Sequence, residues 1–198
     1  MKTYVATQNA GKLRELRAIF AGSLLELAKP RKYAAVVEDA DTYAGNALLK
    51  AHALAATLRE RGIEGAVLAD DSGLEVDALE GKPGVYSARY GGADIGWPAR
   101  RAALLAEVRG VPPYRRAARF VCALALIEPG REAIVVTGQV TGYLLEVETG
   151  AGGFGYDPLF FHPPSGRSFA TLSEKEKNAV SHRRRAADAL LAALRDRV

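Results

Sequence analysis

The residues whose types best suit chemistry lie in the run Ala66-Val67-Leu68-Ala69-Asp70-Asp71-Ser72-Gly73. Its apolar opening, Ala66 to Ala69, reads as a buried strand, followed by adjacent carboxylates, a hydroxyl and a glycine. Acids at the end of a buried strand suit a hard metal ion or a general base. Neighbouring strand residues point to opposite faces, so Asp70 and Asp71 share a pocket only if the strand has already ended. Gly73 would let the chain turn there. A polar turn closing a strand is the plain alternative, and Asp-Ser-Gly suits it.

A second candidate is Thr7-Gln8-Asn9-Ala10-Gly11-Lys12. It follows an apolar, β-branched stretch from Lys2 and precedes Leu13, Leu16, Ile19 and Phe20 at helical spacing. A strand–loop–helix of this kind offers backbone N–H groups to an anion, and Lys12 adds a positive charge. It is not a Walker loop, because the earlier glycine is missing and Leu13 stands where Ser or Thr would hold magnesium. Asn46 and Lys50 share one helical face, and Lys50 becomes a phosphate ligand if that face lines the site. Gly150-Ala151-Gly152-Gly153-Phe154-Gly155 matches G-x-G-x-x-G literally. A dinucleotide loop is rejected, because Pro158 forbids the helix that should follow. The glycines instead suit a close approach of backbone and Phe154 to a flat ligand.

These groups need elements to hold them. Thr42 is the expected N-cap of a long helix to about Arg61, ended by Gly62. Tyr33 to Val37 is a candidate strand, and Glu38 to Asp41 an acidic turn. Glu80 to Gly92 reads as an ordered loop and Pro98 to Val108 as a helix. Arg116 to Ile127 and Glu132 to Val147 read as a hairpin about Glu128-Pro129-Gly130-Arg131. Ser173-Glu174-Lys175-Glu176 is a capping-box pattern opening a C-terminal helical stretch, whose apolar face is Ala187, Leu190, Leu191 and Leu194.

With 198 residues, 48% hydrophobic and 25% charged, the chain reads as one globular domain, or one domain in two lobes, over residues 1–198. No stretch approaches the ~20 apolar residues of a membrane span, and no apolar signal region opens the sequence. The single cysteine, Cys122, allows no intramolecular disulfide, which suits a reducing cytoplasm. Three scattered histidines and one cysteine exclude a Cys/His zinc site. A net charge of +4 favours an anionic ligand.

Thr7 to Lys12, Asn46 to Ala51, Ala69 to Gly73, Phe154 to Pro158 and Ser181-His182-Arg183 occur in this order. With them the chain resembles the inosine/xanthosine triphosphate pyrophosphatase family, the dITP/XTP pyrophosphatases, from Thr7 to about Ala187. The resemblance implies an α/β fold: a long, bent mixed β-sheet, helices in two lobes and a central nucleotide cleft. It implies hydrolysis of ITP, dITP and XTP to the monophosphate and pyrophosphate by a homodimer using Mg²⁺. No stable nucleic-acid complex and no membrane association are expected.

Carried over by residue, Thr7, Gln8, Asn9, Ala10, Gly11 and Lys12 would hold the triphosphate, with Lys50 as a second cation at the catalytic centre. Asp71 would be general base and magnesium ligand, and Ser72 would touch the nucleotide. Phe154 would stack on the base, with Gly155, Tyr156 and Asp157 completing its pocket. Lys177, His182 and Arg183 would hold the base edge and nearby groups. Hypoxanthine and xanthine present a 6-oxo acceptor where adenine presents a donor, so a backbone N–H or an arginine such as Arg183 could discriminate. Alternative readings are a Maf-like pyrophosphatase for other modified nucleotides and a non-catalytic nucleotide-binding protein.

One position departs from the family pattern. A glutamate that ligates magnesium normally precedes Asn46, and here the residue is Gly45. The expectation from sequence is that Asp71 and the triphosphate carry most of the magnesium coordination, with Asp70, Glu38, Asp39 or Asp41 assisting through water. Gly45→Glu is then expected to lower the Mg²⁺ concentration for half-maximal activity without changing substrate preference.

Overall fold

The computed structural model describes residues 1–31 and 33–197. Seven strands form one mixed sheet in the order β2-β1-β3-β4-β5-β6-β7. They are β1 (Lys2–Ala6), β2 (Glu26–Ala28), β3 (Ala66–Val76), β4 (Ala117–Ile127), β5 (Ile134–Leu144), β6 (Phe160–His162) and β7 (Arg167–Ser168). β1 runs parallel to both β2 and β3, while β6 is antiparallel to β5 and β7. The helices are α1 (Ala10–Ile19), α2 (Tyr43–Glu60), α3 (Trp97–Glu107), α4 (Glu174–Val180) and α5 (His182–Arg195).

The sequence accounts for most of these elements. β3 is buried along nearly its whole length, as a central strand covered on both faces should be. β5 alternates buried and exposed positions, the signature of a strand with one wet face. α2 starts where expected, with Thr42 Oγ1 accepting from the Gly45 N–H at 3.0 Å. At α4, Ser173 and Glu176 cap each other reciprocally. After Gly155 the chain makes a single 3-10 turn, Asp157–Leu159, and then enters β6, where the dinucleotide pattern would need an α-helix.

Three expectations change. The first strand of the acidic motif does not stop at Ala69: β3 continues through Asp70, Asp71, Ser72 and Gly73 to Val76. Tyr33 to Val37 is irregular, and the short β2 comes earlier in the chain. The C-terminal stretch is two helices, because Ser181 takes an extended conformation between α4 and α5.

The chain divides into two compact units. The first comprises Met1–Asp71, Cys122–Gly138 and His182–Val198. Its core joins Leu16 and Ile19 of α1, and Phe20 just after it, to Leu68 of β3, Leu124 of β4 and Leu190 of α5. The second comprises Ser72–Val121 and Gln139–Ser181, with a core of Leu74, Leu104, Phe120, Tyr156, Phe160 and Phe169.

Candidate active site

Because β3 runs on, its two aspartates point to opposite sides of the strand and serve different cations. Asp70 is 1% exposed, and its Oδ1 lies 2.6 Å from Lys12 Nζ. Its Oδ2 accepts from Arg183 Nε at 2.9 Å and from the Cys122 thiol at 3.2 Å. Arg183 Nη1 in turn donates to Glu15 Oε2 at 2.8 Å. Asp71 instead accepts at Oδ1 from Lys50 Nζ at 2.9 Å, and Glu38 Oε1 lies 3.4 Å from the same ammonium. The other carboxylate oxygen of Asp71, Oδ2, is buried and has no hydrogen-bond partner among the described residues.

Charge explains how the two carboxyls differ. Burial alone would raise the Asp70 carboxyl, but Arg183 and then Lys12 outweigh it and hold the group well below the usual carboxylate range. Such a depressed group stabilises the fold above the unfolded pKa, and that contribution is lost as pH falls below about 4. For Asp71, burial wins. Its carboxyl is pushed up despite Lys50 and Lys12, and Glu38 adds to the rise.

The Thr7–Lys12 loop joins β1 to α1. Asn9 caps the helix, accepting from the Lys12 N–H at 3.1 Å, and Thr7 Oγ1 accepts from the Asn9 N–H at 3.2 Å. Gln8, Asn9 and Ala10 are exposed, and no acid occupies the first turn of α1. The helix start therefore faces solvent with N–H groups suited to phosphate oxygens.

The second unit carries a separate arrangement around Phe154. Asp157 Oδ2 accepts from the Phe154 N–H at 2.7 Å and from Lys177 Nζ. The Lys177 ammonium lies 4.7 Å from the centre of the Phe154 ring and 5.8 Å from that of Phe169. Lys177 and Asp157 are both buried, and Phe154 is half-buried. Gly153 has φ +69°, and a Cβ there would overlap the Asp157 carboxylate, so only glycine admits this loop. Tyr156 donates its hydroxyl to the Ser87 carbonyl at 3.1 Å and packs edge-on against Trp97. Arg101 Nη1 holds the Gly155 carbonyl at 3.0 Å. The aromatic loop is thus fixed from several sides, with one ring partly open.

Comparison with known proteins places these features in a lineage. The Ham1 family model matches residues 3–193. The chain belongs to the Ham1 family. It is 48% identical over 195 residues to the dITP/XTP pyrophosphatase of Geobacter sulfurreducens, covering 97% of this chain and 94% of that one. It is 47% identical over 185 residues to the dITP/XTP pyrophosphatase of Geobacillus kaustophilus, covering 92% and 88%. The structure of the Staphylococcus aureus Ham1 protein superposes with a TM-score of 0.83 at 35% identity over the full length of both chains.

Within this Ham1 chain the structure brings Lys12, Lys50, Asp71 and Arg183 into the first unit, with Asp71 and Lys50 in direct contact. Phe154, Gly155, Tyr156, Asp157 and Lys177 share the second. Ser72 follows Asp71 on β3, and His182 is buried at the first position of α5. Arg183 is where the geometry departs most from expectation. Its guanidinium is turned to Asp70 and Glu15, and its side chain is only 3% exposed. Sequence reasoning did not single out Glu15, which resembles a surface acid on an amphipathic helix. It left Asp70 and Glu38 as secondary candidates. The one available signal was Glu15's place between the apolar residues Leu13 and Leu16.

The raised Asp71 carboxyl makes a testable statement about pH. If Asp71 must be ionised to act, the acidic limb of kcat/KM lies above 3.8, the ordinary aspartate value. Lys50 pulls the group down, so Lys50→Met should move that limb to higher pH. The check is the pH profile of kcat/KM in both forms; a limb that stays in place or moves to lower pH contradicts the pairing.

Proposed function

We propose that this protein hydrolyses deaminated purine nucleoside triphosphates, ITP, dITP and XTP, to the monophosphate and pyrophosphate. The observation that carries the reading is the part-buried Lys50–Asp71 pair, with buried Asp71 Oδ2 unpartnered among the described residues. A buried acceptor without a donor costs about 1–3 kcal/mol, so one in a native structure calls for an explanation. A water held by Asp71 Oδ2 would give up its proton there while attacking the α-phosphorus. Lys50 keeps the carboxylate aimed and faces the growing charge on the phosphate oxygens. The exposed start of α1 and Lys12 hold the phosphates whose departure as pyrophosphate completes the reaction.

Mg²⁺ is the cofactor of this reading. No group of three or more potential ligands occurs among the described residues, so a cation would rest on one or two carboxylates, phosphate oxygens and water. Asp71, whose buried Oδ2 is unpartnered among the described residues, would be its carboxylate ligand, with Glu38 as the acid sharing Lys50. A triphosphate is itself polyanionic and would meet Asp71 and Glu38 beside Lys50, so added positive charge would favour its binding. A bound magnesium ion would supply it by neutralising the phosphates.

The base falls to Phe154, whose ring Lys177 and Asp157 hold in place. With Arg183 engaged by two carboxylates, a backbone N–H is the donor we assign to the 6-oxo group. Phe154→Ala should weaken binding by about 1–3 kcal/mol, the usual worth of a base–aromatic stack. This predicts a rise of roughly tenfold in KM for ITP with a smaller change in kcat. An unchanged KM would remove the ring from the base site. The reading also takes the chain as a cytoplasmic homodimer, which light scattering of the purified protein tests for its oligomeric part. No helix among the described residues is long and apolar enough to cross a membrane.

The test of the function is a substrate panel. Pyrophosphate release should be fast with ITP, dITP and XTP in Mg²⁺, slow with ATP and GTP, and lost without the metal. A preference for pyrimidine or other modified nucleotides would favour the Maf-like alternative. Tight binding of nucleotide without release of product would favour a non-catalytic protein.

A further inference from the structure

Gly45 lies in the first turn of α2, its N–H bound to Thr42. A Cβ built on it would sit 2.7 Å from Ala40 Cβ and 3.1 Å from Thr42 Oγ1. Side-chain carbons do not approach so closely, so Ala40 already fills the space that a side chain at 45 would need. The same Ala40 is held from the other side: its N–H donates to Asn46 Oδ1 at 3.0 Å, and Asn46 is fully buried. The acidic segment before α2 is therefore clamped to the helix at Ala40. Two residues back, Glu38 reaches Lys50 at 3.4 Å, and Lys50 holds Asp71 at 2.9 Å.

We propose that Gly45 is a positioning residue for the catalytic pair: its missing side chain seats Ala40, and that seat sets Glu38 beside Lys50. The inference rests on Lys50 and Asp71 being the reacting centre. An acid at position 45 then does not simply complete the metal site. It displaces Ala40, carries Glu38 away from Lys50, and changes the charge that Asp71 and a metal ion experience. Helix propensity points the other way, since alanine is better than glycine inside a helix. A defect in Gly45→Ala is thus not a defect of the helix itself.

The test uses Gly45→Ala, Gly45→Glu, the pair Ala40→Gly with Gly45→Ala, and Glu38→Gln with and without Gly45→Ala. Two quantities are read: the Mg²⁺ concentration for half-maximal ITP hydrolysis, and the Mg²⁺-dependent rise in Tm with a non-hydrolysable ITP analogue. Gly45→Ala and Gly45→Glu should raise the Mg²⁺ midpoint roughly threefold or more, and shrink the rise in Tm. Ala40→Gly removes the colliding methyl and should restore both. In the Glu38→Gln background, Gly45→Ala should add nothing further. An unchanged midpoint in Gly45→Ala, no rescue by Ala40→Gly, or an additive effect with Glu38→Gln each overturns the inference. So does a wild-type protein whose Tm does not respond to Mg²⁺. A wild-type protein that releases no pyrophosphate from ITP overturns the functional reading instead, while the Tm series still reports on Gly45.

Discussion

Asp71→Asn is expected to lower kcat on ITP by a factor on the order of 10² or more, with the fold intact. The amide is nearly isosteric with the carboxylate, and its carbonyl oxygen can still accept from Lys50, as Oδ1 does at 2.9 Å. What changes is the second position. There Asp71 offers a buried acceptor without a partner, and asparagine offers N–H donors. Water can no longer surrender a proton to it, and a cation loses its anionic ligand. Stability should change little, because the substitution also removes a buried charge whose ionisation burial opposes. Steady-state kinetics beside a thermal melt separate the two effects. Near wild-type turnover in a folded Asp71→Asn protein would dismiss Asp71 as the base.

Arg183→Ala is expected to cost about 3–5 kcal/mol of stability, because it strips the shared cation from buried Asp70 and Glu15. Domains hold only about 5–15 kcal/mol in total, so the variant should melt roughly 10 °C or more below the wild type. The same geometry sets the kinetic expectation. Lys12 leans on the other oxygen of Asp70, so losing Arg183 disturbs a phosphate ligand and not a base contact. kcat/KM should therefore fall in similar proportion for ITP and ATP. Arg183→Lys, which keeps the charge but cannot span both carboxylates with a rigid fork, should recover part of the stability. A selective loss for ITP with unchanged melting would return Arg183 to the base edge.

Much of the scaffold was legible because its signals are local. Thr42 as a cap, the Ser173–Glu176 box, and the turn between β4 and β5 depend on residues close in sequence. The rejected dinucleotide loop was equally legible, since Pro158 disfavours an α-helix running on from Gly155, and only one 3-10 turn forms there. The acidic motif misled for a physical reason. Asp-Asp-Ser-Gly favours a turn in isolation, but pairing within the sheet and cations on both sides keep β3 extended to Val76. The question that alternation raised, whether both acids could face one pocket, was sound; the strand continues and the acids divide.

The remaining misses lie in contacts that span the chain. Glu15 meets Arg183 across 168 positions, and its place between Leu13 and Leu16 hints at burial without naming the partner. Sequence offered no sign that Lys177 is buried, near the rings of Phe154 and Phe169 and beside Asp157. Gly45 looked like a lost ligand, because sequence shows which side chain is missing and not what fills the space. β2 was missed because three residues carry too little pattern to read.

In the proposed reaction Asp71 directs water to the α-phosphorus. Hydrolysis of ITP in oxygen-18 water, with products resolved by mass spectrometry, tests it most directly. Inosine monophosphate should carry one labelled oxygen, with unlabelled pyrophosphate and no orthophosphate. Label in the pyrophosphate, or release of orthophosphate, would place the attack on another phosphorus and contradict it.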